Sequence, residues 1–381
     1  MNGNKVYFPP NDDEFEISLF GPGYGESVVI HIGGNNWVLV DSAIDPTTRK
    51  PAALTYLQKL GIDPSNAVKL VVATHWHDDH IRGLGEVLSV CKSAQFCCSG
   101  ALRASEFLTL VGLYGTRLMI ESSGIKEFHT ILRIMESRRK KIGRPLSGIK
   151  LAIADRTLWR QSVSVSGQTL IAEIHSLSPS DASILKAQKD IGSLLPVEKE
   201  TKRRVSPGNP NHVAVVLWVS IGDISVLLGS DLQETKQVDT GWSVIVNSPN
   251  RPPGRASAYK IPHHGSGNAH NNQVWTDMLQ VNPYSLLTPF VTGKSVLPKK
   301  EDVKRICRMT KNAFATASIK KRKSPKRSKT VEKMIRETVR KINEVFTSEG
   351  QIRLRRRIYP KDNFEVDLIG GAVPLENIHL G

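Results

Sequence analysis

Residues 71–80 read Val-Val-Ala-Thr-His-Trp-His-Asp-Asp-His, an apolar run patterned as a strand that ends in His75, His77, Asp79 and His80. On an extended or tightly turned segment His75 and His77 point to the same side, so two imidazoles converge on one position while Asp79 and His80 face a second beside it. Imidazole nitrogen suits zinc and neighbouring first-row metals, and a carboxylate widens the choice to manganese or iron. With Asp78 included, these chargeable or coordinating side chains directly follow a buried strand, where they are costly to desolvate without an ion to pair with. The plain alternative is a solvated polar loop, and the density of the cluster at the tip of a hydrophobic strand argues against it.

Three further segments carry residues of the same chemistry. Upstream, Phe20-Gly-Pro-Gly-Tyr-Gly-Glu-Ser leads into a strand, a Gly-Gly-Asn-Asn hairpin turn and a second strand closed by Asp41. Taken alone, Asp41 followed by Ser42 is ordinary turn chemistry. Downstream, residues 211–231 repeat that grammar: His212, a strand, an Ile-Gly-Asp turn and a second strand running into Asp231. His175 is a rival ligand, although a lone histidine beside a strand more often has a structural role. Finally, Tyr259-Lys-Ile-Pro leads into His263-His264-Gly265-Ser266.

His-Trp-His-Asp-Asp-His matches the H-x-H-x-D-H signature of the metallo-β-lactamase superfamily of di-metal hydrolases, and the remaining motifs follow in that family's order. The resemblance implies an αββα sandwich and two divalent metal ions, zinc by expectation with manganese as the alternative. It places His75, His77 and His212 on the first ion and Asp79, His80 and His264 on the second, with Asp231 shared. Asp41 would orient the metal loop by hydrogen bonds. The family's usual Gly-Asp reads Gly229-Ser230-Asp231 here, a local departure that keeps the carboxylate. The His263-His264-Gly265-Ser266 string and the Gly-Pro-Gly-Tyr-Gly-Glu-Ser opening resemble a narrower branch. That branch holds the hydrolase domain of bacterial competence (DNA-uptake channel) proteins and the choline-phosphate esterases of cell-wall teichoic acid. One histidine of the pair would ligate the second ion; with His264 in that role, His263 is free to donate to substrate or to an oxyanion. Two ions would hold a water between them and lower its pKa toward neutrality, giving a bridging hydroxide. Asp79, Asp41 and His263 are the residues placed closest to that chemistry.

The chain has 381 residues, a hydrophobic fraction of 39% and a formal net charge of +16. The hydrophobic fraction supports a globular core, and the length allows one large domain or two ordinary ones. No apolar run reaches bilayer length, and the N-terminal residues lack a basic stretch followed by an apolar one, so a cytoplasmic protein without membrane contact is expected. Cys91, Cys97, Cys98 and Cys307 show no zinc-ribbon spacing and read as reduced thiols.

Nearly all of the excess charge lies between Lys299 and Lys361. Within that stretch, Lys320, Lys321, Arg322, Lys323, Lys326 and Arg327 form a loop-like run around Ser324-Pro325, and Arg355 and Arg356 belong to a second run. A helical pattern from Thr330 to about Phe346 separates the two, with Val331, Ile335, Val339 and Ile342 on one face. Such a distribution suits a polyanion held near the site through phosphate contacts, with steep salt dependence. A solvated basic tail or a surface for acidic protein partners in a multi-component system is the alternative. Aromatic residues are sparse here, so backbone contact is favoured over base stacking.

The expected organisation is a hydrolase core over 1–298, interrupted by a helical insertion at about 101–150, and a basic segment over 299–381 that completes or flanks it. Within the insertion, Ile125, Phe128, Ile131, Leu132 and Met135 share one helical face. Strand signals resume near Gln168, and residues 178–210 read as turn-like. The function these features favour is a metal-dependent phosphodiesterase acting on nucleic acid or nucleotides. The competing readings are a small-molecule ester or phosphoester hydrolase and a non-catalytic nucleic-acid-binding subunit. Fold alone does not choose among them.

Overall fold

The computed structural model describes residues 7–21, 25–103, 108–109, 123–142, 149–193, 210–292, 295–319, 328–338 and 350–380. Strands β1 (Glu14–Phe20), β2 (Ser27–Ile32) and β3 (Trp37–Val40) form an antiparallel meander. Its β2–β3 turn holds Gly33 and Gly34 at φ of 75° and 55°, values costly for other residues. Parallel strands β4 (Val68–Ala73), β5 (Gln95–Ser99) and β6 (Ile149–Ala152) extend the sheet from β3.

The second sheet follows the same plan. Strands β7 (Arg156–Val165), β8 (Gln168–Ser176), β9 (Leu217–Ile221) and β10 (Ile224–Leu228) pair antiparallel in sequence. Parallel strands β11 (Ala256–Lys260) and β12 (Leu279–Leu287) then follow, with β13 (Phe290–Thr292) and β14 (Ser295–Leu297) forming a separate hairpin. Beyond residue 298 the chain supplies strands to both sheets. β15 (Ala313–Ala315) lies between β12 and β18 (Val373–Pro374), and β16 (Gly350–Arg357) lies between β1 and β17 (Glu365–Gly370).

The hydrophobic runs explain the layering. β2 is buried at every position and β4 at all but one, as strands covered on both faces must be. Ile30, Val38, Val72, Val219, Val226 and Leu354 belong to the core between the sheets. Helices Ala52–Lys59, Leu84–Val90 and Ser123–Ile142 cover the outer face of the first sheet. Helices Gly241–Val246 and Lys300–Met309 cover that of the second. The result is the expected αββα sandwich.

The insertion helix is Ser123–Ile142; Ile125, Phe128, Ile131 and Met135 are buried along it and Leu132 partly so. The Arg138 guanidinium donates to the carbonyls of Leu88, Cys91 and Ala94, closing the end of the neighbouring helix. Three elements differ from expectation. Strands β6 and β7 precede the first strand read between the two hairpins, and the turn-like stretch contains a helix, Asp181–Gly192, capped by the Ser180 hydroxyl on the Ser183 amide. The basic helix is described over Lys329–Thr338; Val331 there is 44% exposed and Met334 60%. Val339 and Ile342, expected on its apolar face, lie outside the described residues, as do Lys320, Lys321, Arg322, Lys323, Lys326 and Arg327. No helix among the described residues is long and apolar enough to cross a membrane.

Candidate metal centre

The expected ligands lie just beyond strand ends. Asp41 follows β3 and His75 closely follows β4, while Asp231 closely follows β10 and His263 and His264 closely follow β11. The parallel pairs β3–β4 and β10–β11 put these ends at one edge of their respective sheets. Asp41, Ser230, His263 and His264 all take left-handed backbone angles, with φ of 58°, 45°, 46° and 55°. For a non-glycine residue such a conformation costs about 1–3 kcal/mol, and strain of this kind concentrates where a side chain must be aimed. At Gly25, φ is 100° and an added Cβ would lie 2.8 Å from the Asp79 carbonyl oxygen. That close approach lets the Glu26 amide donate to the same oxygen at 2.9 Å, tying the glycine-rich loop to the metal loop.

Asp79, His80, Asp231 and His264 are buried, and their potential ligand atoms lie within 4.8 Å of one another; Asp41, His75 and His80 form a second such group. His80 Nε2 and His264 Nε2 lie 3.4 Å and 3.5 Å from Asp231 Oδ2, and His264 Nε2 lies 3.4 Å from Asp79 Oδ2. The other ring nitrogens are fixed from outside. His80 Nδ1 bonds Asp41 Oδ2 at 2.7 Å, His264 Nδ1 bonds the Thr288 carbonyl at 2.9 Å and His75 Nδ1 meets the Thr74 hydroxyl at 2.9 Å. This leaves Nε2 of each ring for the centre.

These residues fit a divalent cation. His75 Nε2 and His80 Nε2 are buried and make no hydrogen bond with the described residues, a costly state for polar atoms unless an ion takes them up. Electrostatics divides the imidazoles. Burial and the neighbouring His80 and His77 hold His75 well below its ordinary pKa. Burial also opposes charge on His80, yet Asp231, Glu26, Asp79 and Asp41 carry it well above. Asp231 runs against its own burial too, with His80 and His264 drawing its carboxyl well below the usual range.

The expected first-ion set is not gathered into one tight group. The His77 ring lies 5.0 Å from that of His75. His212, on the turn Pro210–Val213, bonds the Gln233 side chain and lies near Lys186 and Asp190. Neither histidine joins the two buried groups found among the described residues. His263 stands at the rim with Nδ1 2.8 Å from Asn268 Oδ1. The rival His175 is occupied at the sheet surface by Thr157 and Glu173. Asp78 has its own task, accepting the Gly124 amide at 2.8 Å to cap the insertion helix. Arg355 and Arg356, expected to meet nucleic acid, are instead held by Glu16 and Asp223 at 2.6 Å and 2.7 Å. Alternation along β16 sends the two guanidiniums to opposite faces, where fold carboxylates neutralise them.

Sequence reasoning passed over Glu26 and Lys260, whose buried ion pair borders the centre. Both lie inside motifs quoted for other residues. Lys260 closes a strand, Ala256–Lys260, whose pattern otherwise predicts an apolar side chain.

Two layered sheets with helices outside and a histidine–aspartate centre at one edge define a metallo-hydrolase fold. A family model of the metallo-beta-lactamase superfamily matches residues 20–260. The chain belongs to that superfamily, whose members are mostly metal-dependent hydrolases. Among solved structures it is similar to a B3 metallo-beta-lactamase with an active-site glutamic acid, at 15% identity and a TM-score of 0.30 over 61% of this chain and 69% of that one. It is also similar to MEM-A1, a subclass B3 enzyme from a soil metagenome library, at 12% identity and a TM-score of 0.33 over 68% of this chain and 80% of that one. The metallo-beta-lactamase fold protein YhfI from Bacillus subtilis overlaps at 14% identity and a TM-score of 0.28, over 59% of this chain and 65% of that one. No curated protein sequence matches the chain.

Proposed function

We propose that the protein is a metal-dependent phosphodiesterase acting on nucleic acid or nucleotides, with zinc as its ion and manganese as the alternative. The observation that carries this reading is the placement of basic charge beside the centre. Arg305, on helix Lys300–Met309, donates to the Gly265 carbonyl at 2.7 Å, bolting that helix to the turn that holds His263 and His264. Lys299, Lys300, Lys304, Arg308 and Lys311 are exposed on and around it, where a phosphate backbone would find cations within reach of the site. The His263-His264-Gly265-Ser266 string and the glycine-rich opening support a place beside the competence-protein hydrolase domains.

Asp79, His80, Asp231 and His264 would hold one ion, and His75, His77 and His212 would contribute to a second. Bound ions supply Lewis acidity toward a phosphoryl oxygen and lower the pKa of water. The chain's own part is to orient and to move a proton. Asp41 and Thr288 fix the imidazoles of His80 and His264. With Nδ1–H donating to Asn268 Oδ1, His263 in its imidazolium form would present an Nε2 proton to a leaving oxygen and be left as the neutral ring.

The test is cleavage of supercoiled plasmid, linear duplex and single-stranded DNA and RNA with zinc, manganese or magnesium, comparing the wild type with His77→Ala. Metal-dependent cleavage lost in the variant supports the reading. Turnover of bis-p-nitrophenyl phosphate without cleavage of any polymer would replace it with a small-molecule hydrolase. Binding of nucleic acid that survives metal removal, with no turnover of any diester, would replace it with a non-catalytic subunit.

A further inference from the structure

Glu26 and Lys260 are 2% and 1% exposed and belong to neither ligand group. Glu26 precedes β2 of the first sheet and Lys260 ends β11 of the second, so their ion pair joins the two sheets beside the centre. The Lys260 ammonium also donates to the Ser230 carbonyl at 2.8 Å and lies 3.7 Å from Asp231 Oδ1. Asp231 is thereby divided. Its Oδ2 faces the Nε2 atoms of His80 and His264, while Oδ1 is buried, makes no hydrogen bond among the described residues and faces the ammonium.

A buried ammonium is costly to desolvate unless partners offset it. Beside a cation site it also repels the ion, so tighter metal binding does not explain its presence. Geometry does. We propose that Lys260 is a positioning residue for Asp231: anchored by Glu26 and the Ser230 carbonyl, its ammonium keeps Oδ1 out of the ion-binding space, so the carboxylate offers Oδ2 alone. An aspartate free to use both oxygens would fill a ligand position that water or substrate needs. This inference rests on reading the cluster as a metal centre and is independent of the substrate.

The experiment is titration of the metal-free full chain with cobalt(II), followed by visible absorption, whose d–d bands weaken as ligands are added. Lys260→Met should bind cobalt with weaker bands than the wild type and at least about tenfold more tightly, because a positive charge has gone from the ion's surroundings. Glu26→Gln, which loosens the ammonium while keeping its neighbour's shape, should move the spectrum the same way by a smaller amount. Should Lys260→Met fail to fold with Glu26 left buried and unpaired, the paired change Glu26→Gln, Lys260→Met removes both charges and should again give weaker bands. Wild-type band position and intensity in the variants would overturn the proposal alone, leaving the pair a purely structural tie. A wild-type chain that binds no cobalt would overturn the metal-centre reading and the proposal with it.

Discussion

Asp41 makes three hydrogen bonds through two oxygens, to the Thr74 amide at 2.8 Å, the Thr74 hydroxyl at 2.7 Å and His80 Nδ1 at 2.7 Å. The first two fix the strand end that launches the metal loop, and the third fixes the ring of His80. Asp41→Asn keeps the shape but turns an acceptor into a mixed donor, so metal affinity should fall roughly 10–100-fold, as outer partners of ligands typically cost when lost. Chelator competition measures it, and an unchanged affinity would remove Asp41 from the centre. The raised pKa values of His80 and His264, set against burial chiefly by Asp231, give a pH prediction. Without metal, both rings keep a proton above the pH at which a free imidazole loses it, and an ion has to displace that proton. Metal affinity should therefore fall as pH drops through those raised values and level off above them, with proton release on binding. Calorimetry in buffers of different ionisation enthalpy reads that release near neutral pH. Its absence would mean that the rings are already neutral.

Reciprocal contacts lock the insertion helix and the metal loop together at the scale of elements. Asp78 caps the helix at Gly124, while Glu127 on that helix accepts the amides of Gly83 and Gly85 at 3.0 Å and 3.1 Å, capping helix Leu84–Val90 in return. Gly124 is needed for the approach, since an added Cβ would lie 2.1 Å from the Trp76 carbonyl oxygen. Gly124→Val should overpack the junction and cost about 1–3 kcal/mol, and Glu127→Ala should cost about 1 kcal/mol or more through the orphaned amides. Thermal melts with and without metal check both, and wild-type stability in Gly124→Val would mean that the helix does not press on the loop. The insertion helix was legible because Ile125, Phe128, Ile131 and Met135 recur at helical spacing. Helix Asp181–Gly192 was not, because among its residues only Ser183 and Ile191 are fully buried, so its apolar stripe is weak, and it lies within a Ser-, Pro- and Lys-rich stretch. Strand β7 hid for a related reason: Arg156, Arg160, Gln161, Ser162 and Ser164 are exposed at a sheet edge, so its pattern lacks a continuous apolar signal. The ligand motifs were readable because metal chemistry restricts residue types. Lys260 was not, because its meaning depends on Glu26, which only the folded chain brings beside it.

For the whole molecule, the uneven charge makes a prediction that separates a polymer substrate from a small one. The basic excess beyond Lys299 is partly consumed by the fold, with Arg353, Arg355 and Arg356 paired to Asp367, Glu16 and Asp223. Of that excess, Lys299, Lys300, Lys304, Arg308 and Lys311 are exposed on the helix bolted to the His263–Gly265 turn and on its flanks. Each phosphate they neutralise releases counterions, so the logarithm of the binding constant for duplex DNA should fall linearly with the logarithm of salt, by about 0.9 per phosphate contact. If the proposed nucleic-acid substrate is held here by its backbone, replacing Lys304 and Arg308 together with glutamate should weaken binding across unrelated sequences and lower that slope by about 2. Turnover of bis-p-nitrophenyl phosphate by the wild type, which carries a single charge, should change little over the same salt range. A steep salt dependence for duplex with a flat one for the small diester would place the polyanion on this helix. Equal, shallow dependences for both would mean that the basic segment serves another partner and that the centre receives its substrate unaided.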